Sequence, residues 1–286
     1  MKKQKEPIVL KGEEFRHFQL IQIPLLQELD RVCRKNNIKY SISGGTLIGA
    51  VRHKGYIPWD DDADVMMLRE EYEKFKKVTD QLDPKICYFQ DHDTDNKYIW
   101  GYAKLRRTGT KFIRCGQAHL GHQTGVSIDI FPLDDVPNST IGRMWQDFRL
   151  WRMRKRLWAK VAKYTEPNWF KRMWYKAISH TNPDRIFKKV NKMAAKSRND
   201  NGKEVRCLLF PSIGKMYVKN PLRVRYSMPK SWFLDVVEYP FENIVVYGTR
   251  DYDAALKYQY RDYMTLPPED KRDAHAPCEE YDFGGL

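Results

Sequence analysis

Residues 44–67 read GGTLIGAVRHKGYIPWDDDADVMM. Two adjacent glycines open the stretch, and four aspartates, Asp60, Asp61, Asp62 and Asp64, close it within five positions. Carboxylates crowded like this repel one another and are costly to hold together unless a cation neutralises them. DADVMML, residues 62–68, reads as a strand, so residues two apart share a face and Asp62 and Asp64 project into one space. Hard oxygen donors of this kind suit Mg²⁺ or Mn²⁺ rather than zinc. A third carboxylate on a neighbouring strand would complete a site for one or two such ions, and Asp129, flanked by Ile128 and Ile130 in SIDIF, is the candidate. Sites of this type serve phosphoryl transfer, where divalent ions bridge phosphate oxygens. Gly44 and Gly45 fit the same chemistry, because a backbone without side chains can approach a phosphate and a following helix N-terminus favours negative charge. Taken alone, an aspartate cluster is better explained by a solvated turn or a calcium loop.

Working outward, residues 14–36 carry Phe18, Ile21, Leu25, Leu26, Leu29, Val32 and Cys33 at three- and four-residue steps, which predicts a helix. IKYSIS then reads as a short strand ending at Gly44, TLIGAV as the start of a short helix, and REEYEKFKKVTDQL as a helix that stops at Asp83-Pro84. Strand-like pieces follow at KICYFQ, YIWGYAKLRR, TKFIRC and GVSIDIFPLDDV. After Pro137 the texture changes to long basic helical segments, and a last mixed region holds FENIVVYG and the helix-like DYDAALKYQYRDYM. The expected architecture is α/β (α+β), a mixed sheet with flanking helices. It divides into a catalytic core at 1–137, a basic Trp-rich helical region at 138–200 and a C-terminal segment at 201–286 packing on the core.

Composition agrees with a folded globular chain: 286 residues, 42% hydrophobic and 31% charged. No apolar run approaches the roughly 18–20 residues that span a bilayer, and MKKQKEPIVLKGEEF lacks the apolar core of a signal peptide, so the expected location is the cytoplasm. Five scattered cysteines without a C-x-x-C pair argue against a disulfide framework, and His92, Cys115, His119 and His122 match no zinc-ligand spacing. The net charge of +14 has one source. Residues 143–198 hold 17 Lys/Arg against 3 Asp/Glu, which leaves 34 of each sign elsewhere from totals of 51 and 37. Five of the eight tryptophans lie there too. On a helix, Met144, Phe148, Trp151, Trp158 and Ala162 form one stripe flanked by arginines and lysines. Such a helix can lie on an anionic bilayer, or pack on the core with a solvated basic face. A basic, aromatic-rich segment also suits an RNA backbone.

Strand, Gly-Gly, short helix, Asp-x-Asp and a distant apolar-flanked Asp resemble the nucleotidyltransferase fold. The wording of residues 44–67 is more specific: it resembles the signature of the LicD family, whose members are similar to fukutin and fukutin-related protein. AKLRRTGTKFI at 103–113, IDIFPLDD at 128–135 and YDAALKYQYRDYMTLPP at 252–268 add to the match. The resemblance implies metal-binding and catalytic carboxylates at Asp62, Asp64 and Asp129, with Asp129 as general base and Asp60 and Asp61 shaping the loop. It implies substrate binding by Gly44, Gly45, Thr46, Arg52, His53, Trp59, Trp100 and Lys104, and Mg²⁺ (or Mn²⁺) as cofactor. The implied reaction moves phosphocholine from CDP-choline to a sugar hydroxyl of a teichoic acid, lipopolysaccharide or capsule precursor. Ribitol- or glycerol-phosphate transfer from a CDP donor is the alternative, and RNA- or small-molecule-modifying nucleotidyltransferase chemistry a more distant one; no nucleic acid partner is expected. A lipid-linked acceptor would bring residues 143–198 to the inner face of the membrane as a peripheral contact. Arg107 and Arg261 depart from the family pattern.

Overall fold

The computed structural model describes residues 6–199, 202–211, 227–272 and 277–286. The basic start Met1–Lys5 and the expected junction at 200–201 lie outside the described residues. The chain opens with α1 (Gly12–Lys35), whose acidic first turn (Glu13, Glu14) and basic last turn (Arg34, Lys35) complement the helix dipole. It buries Leu25, Leu26, Leu29 and Val32 completely, the three- and four-residue spacing seen in the sequence.

Behind α1 lies a mixed sheet. Its strands are β1 (Ser41–Ile42), β2 (Asp64–Leu68), β3 (Cys87–Gln90), β4 (Ala103–Arg107), β6 (Ser127–Asp135), β7 (Glu204–Arg206), β8 (Met228–Pro229), β9 (Val236–Phe241) and β10 (Ile244–Thr249). The order across it is β3-β4-β6-β2-β1-β10-β9, with β7 and β8 continuing from the far half of β6. β2 runs parallel to β6, and β1 parallel to β10; the other pairs are antiparallel. A separate ribbon joins β5 (Lys111–Arg114) to β11 (Cys278–Asp282).

Alternation along the strands separates two faces. Val65 and Met67 of β2, Ile128 and Ile130 of β6, and Ala103 and Leu105 of β4 join α1 in the main core. Met66, Leu68, Phe131 and Leu133 point the other way, into a second apolar cluster with Trp232 and Phe233. By the same period Asp64, Asp129 and Lys104 lie on that second side.

Local differences from the sequence reading have local causes. The short helix α2 (Gly44–Ile48) begins at the first glycine rather than after the pair, and continues as a wider π-turn, Gly49–His53. The Asp-x-Asp strand begins at Asp64, so Asp62 precedes it, although Ala63 still accepts from the Asp129 N–H at 2.9 Å and prolongs the ladder. The helix expected at 69–82 stops as α3 at Arg69–Lys76, where β-branched Val78 and Thr79 follow. The strand expected at 98–107 shortens to β4, and Gly101 just before it lies too close to Leu209 for a side chain. All five cysteines are free.

The basic region forms α4 (Thr140–Thr165), α5 (Trp169–Ile178) and α6 (Pro183–Asn199). The stripe expected to be the apolar one is not the face that packs. α4 buries Leu150, Met153, Leu157 and Val161 against Ile186, Val190 and Ala194 of α6, while Trp145, Phe148, Trp151 and Trp158 stay exposed. Ala162 turns inward toward Tyr175 of α5. The C-terminal residues add β9 and β10 to the main sheet, then α7 (Tyr252–Tyr260) and β11.

Candidate active site

Three adjoining strands carry the centre of the site in one row. In the parallel β2–β6 register Asp64 stands opposite Asp129, and in the antiparallel β4–β6 register Asp129 stands opposite Lys104. Lys104 is 7% exposed and hydrogen-bonds Asp129 Oδ1, with Ser127 Oγ 3.4 Å away. The loop before β2 brings Asp60, Asp61 and Asp62 to the same side, and α1 fixes its backbone. Gln19 donates to the carbonyls of Ile57 (3.0 Å) and Asp60 (2.8 Å), and Gln22 donates to that of Asp61 (3.2 Å). From the opposite direction Glu242 accepts the Tyr56 N–H at 2.9 Å and pairs with Arg16 at 2.6 Å.

The glycine pair makes room for these carboxylates. A Cβ on Gly45 would lie 2.0 Å from Asp60 Oδ2, and one on Gly44, whose φ is +57°, would lie 3.1 Å from Asp64 Oδ2. Thr46 Oγ1 accepts the Asp64 N–H at 2.8 Å, and the Ser43 N–H donates to the Asp64 carbonyl at 3.0 Å. α2 is thereby pinned to the start of β2.

Electrostatics follow from burial. Desolvation, then the charges of Asp62 and Asp61, push the Asp60 carboxyl up to about 8. Desolvation, then Asp61 and Asp129, push Asp62 up to about 6. Asp64 is raised well above the carboxylate range by burial first, then by Asp62, Asp129 and Asp60. Burial holds Lys104 below the usual ammonium value, with Asp129 opposing it. At Arg114 burial works downward, but Asp61, Asp62 and Asp129 outweigh it and raise the guanidinium.

This donor set fits a hard divalent cation. It is all oxygen, and three carboxylates, Asp60, Asp61 and Asp62, place ligand atoms within 4.8 Å of one another, the one such group among the described residues. Asp61 Oδ2 is buried without a hydrogen-bond partner, although Arg114 lies 3.4 Å away. The loop trio supplies that close group, and Asp64 and Asp129 line the same cavity as Asp61 and Asp62.

Two cavities meet at the carboxylates, sharing Asp62, Asp64, Phe131 and Phe210. The larger, about 740 Å³, is lined by Ser43, Gly44, Gly45, Arg52, Trp59, Asp60, Arg206, Lys271 and tyrosines 258, 260 and 263. The smaller, about 270 Å³, adds Asp61, Trp100, Tyr102, Lys104, Arg106, Arg114, Asp129 and Trp158. Carboxylates at the junction of two cavities, one lined by a glycine pair and cations, can hold a phosphate between a leaving group and an incoming hydroxyl.

Residues 37–177 match the family model described as LicD/FKTN/FKRP, nucleotidyltransferase domain. The lipopolysaccharide cholinephosphotransferase LicD of Haemophilus influenzae is 29% identical over 284 residues, covering 95% of this chain and 99% of that protein. The chain carries a LicD-family domain. It is a transferase with an α+β nucleotidyltransferase domain. An uncharacterised protein of Rickettsia prowazekii is 42% identical over 99 residues, covering 29% of this chain and 37% of its own.

Within this LicD-family site the expected binding residues separate. Gly44, Gly45, Arg52 and Trp59 line the larger cavity, and Lys104 and Trp100 the smaller one. Trp59 and Trp100 therefore face different cavities and do not form one aromatic cage. Trp59 carries Arg272 over its ring at 5.2 Å, and Trp100 neighbours Trp158 at 5.9 Å. Thr46 and His53 line neither cavity: Thr46 is spent on Asp64, and His53 meets Trp59 edge-on at 6.3 Å. Arg52 donates to the Tyr263 carbonyl at 2.5 Å. The departure at Arg107 braces the carbonyls of Lys85 and Ile86, away from both cavities, and that at Arg261 ends α7 with φ +64°. The imagined zinc residues do not converge, since among the described residues no group of histidines and cysteines comes together.

Sequence reading missed Arg114, Trp158, Phe210 and Ser43. Ser43 Oγ is buried beside the glycine pair without a hydrogen-bond partner. Its place directly before Gly44-Gly45 was the available signal. Trp158 comes from α4, where its aromatic stripe pointed to a membrane rather than to a cavity.

Proposed function

We propose that the enzyme transfers a phospho-substituent, in the first place phosphocholine from CDP-choline, to a sugar hydroxyl of a cell-surface glycan such as a lipopolysaccharide precursor. The observation that carries this reading is the row Asp64, Asp129, Lys104, standing with Asp62 where two cavities meet. The relative from Haemophilus influenzae, named for lipopolysaccharide cholinephosphate transfer, supports the choice of substituent and acceptor.

The larger cavity takes the CDP-linked donor. Its glycine pair lets the diphosphate approach, and Arg52 and Lys271 supply positive charge. The smaller cavity takes the acceptor, with Trp100, Tyr102 and Trp158 against the sugar and Lys104 and Arg114 beside its reacting edge. Asp62, Asp64 and Asp129, with Asp60 and Asp61 alongside, would hold Mg²⁺ (or Mn²⁺), which when bound neutralises charge on the phosphates. The acceptor oxygen forms a bond to the distal phosphorus as the bond from that phosphorus to the CMP oxygen breaks. The hydroxyl proton passes to Asp129, whose other oxygen is held by Lys104. CMP leaves with the electron pair of the broken bond.

CMP release from CDP-choline, CDP-ethanolamine, CDP-ribitol and CDP-glycerol, each with Mg²⁺ or Mn²⁺ and a deacylated glycan acceptor, tests the reading. CDP-choline should lead the panel. Turnover of the ribitol or glycerol donors alone would move the enzyme to phospho-alditol transfer, and turnover of none would overturn the proposal.

A further inference from the structure

The outer surfaces of α4 and α5 carry aromatic side chains that the described residues leave partly exposed. Trp145, Phe148 and Trp151 are 61%, 46% and 39% exposed, and their rings stack in sequence at 5.7 and 6.1 Å. Trp169, Phe170 and Trp174 are exposed on α5, Phe170 to 75%. Isolated apolar side chains on a surface need no explanation, but ten of the eighteen large exposed ones in the described chain fall between Ile141 and Trp174. None of the six aromatics named lines a described cavity.

Charge identifies the occupant. Arg149 and Arg152 on α4 and Lys171 and Lys176 on α5 are exposed beside the aromatics, in a segment of 17 basic and 3 acidic residues. A second copy of the chain would bring a like-charged surface against this one, so self-association is opposed. A nucleic acid strand prefers a basic groove with rings along its floor, whereas these rings stand on outward helix faces. Tryptophan and phenylalanine on a basic helical surface suit the boundary between lipid headgroups and acyl chains.

We infer that the α4–α5 face docks on an anionic lipid bilayer, with the aromatic rings at headgroup depth and the basic side chains on the lipid phosphates. The opposite side of α4 is already packed, so the helix can do both. Trp151 and Trp158 are seven residues apart on one stripe, and Trp158 lines the smaller cavity. The docked face therefore runs to the mouth of that cavity. Reading that mouth as the acceptor's entrance rests on the proposed function; the docking does not.

Sedimentation of the full chain with phosphatidylcholine vesicles, with and without phosphatidylglycerol, tests this. Binding to the anionic vesicles should exceed that to neutral ones about tenfold and weaken with salt. The W145S/F148S/W151S variant should lose about tenfold in binding while keeping its melting temperature and its CMP release with soluble acceptor. R149Q/R152Q, which leaves the aromatics in place, should weaken binding to anionic vesicles only. No binding at low salt, full binding by the aromatic variant, a dimer that this variant dissolves, or retention on single-stranded RNA in place of vesicles would each overturn the inference. CMP release measured without vesicles reports separately on the transferase reading.

Discussion

At the scale of single residues the site holds more negative charge than a metal-free fold can favour. Asp64 is pushed well above its usual range by burial and its neighbours. Replacing Asp64 by Asn removes a buried like charge, so D64N should raise the metal-free melting temperature by roughly 2–4 °C per kcal/mol of relief. The same change should reduce transfer by about 10³-fold or more. Calorimetry and a CMP-release assay on one sample check both halves, and an active D62N/D64N protein would remove the metal site. Mg²⁺ should raise the melting temperature of the wild type over that in EDTA and leave D62N/D64N unmoved. Gly45 offers a sharper geometric test. G45A drives a methyl into the place of Asp60 Oδ2, and donor KM should rise about tenfold as that carboxylate shifts; unchanged kinetics would mean that Asp60 moves without consequence.

At the scale of elements, the aspartate loop is suspended between α1 and the turn after β9. Glu242 is the link on the second side, and hydrogen bonds from Arg16, then from the Tyr56 amide, hold its carboxyl below the ordinary value. A lowered carboxylate contributes stability that is present above its unfolded value near 4.5 and is lost as pH falls through the folded value. E242Q should therefore cost about 1 kcal/mol at neutral pH, solvent screening of half-exposed Arg16 included, and less at pH 3. Equal destabilisation at both pH values would assign Glu242 a packing role. The strands that carry the carboxylates were the part of this architecture that sequence carried well, whereas β7, β8, β9 and β11 were not expected. Ile128 and Ile130 about Asp129, and Val65 and Met67 about Asp64 and Met66, announce two-faced strands, and the glycine pair marks where β1 ends. The loop's suspension was not legible, because Gln19, Gln22 and Glu242 are ordinary polar residues until α1 and β9 bring them to it.

At the scale of the molecule, the helical region is joined to the site through a second core. Leu157 is buried there, one residue before Trp158 at the cavity rim. L157A should cost roughly 2–5 kcal/mol and, where the protein still folds, raise the acceptor KM more than the donor KM. Donor and acceptor kinetics shifting together would uncouple the rim from that core. Trp158, Phe210 and the tyrosines of α7 reach the cavities from segments 94 to 200 residues away from the aspartate motif, and no local periodicity could place them. The packing stripe of α4 was hidden for a different reason: an exposed aromatic stripe on the same helix gave the stronger apolar signal.

The parallel pairing of β2 with β6 has a consequence for how this chain can change. Asp64 and Asp129 are separated by a long excursion through α3, β3, β4 and β5, yet their spacing is set by hydrogen bonds across two neighbouring strands. Lengthening a surface turn of that excursion leaves the two carboxylates where they are. Deleting one residue inside β6 turns Asp129 toward the main core and brings an isoleucine to the cavity side. The connection is thus free to vary in length, and the strand is held to its residue count.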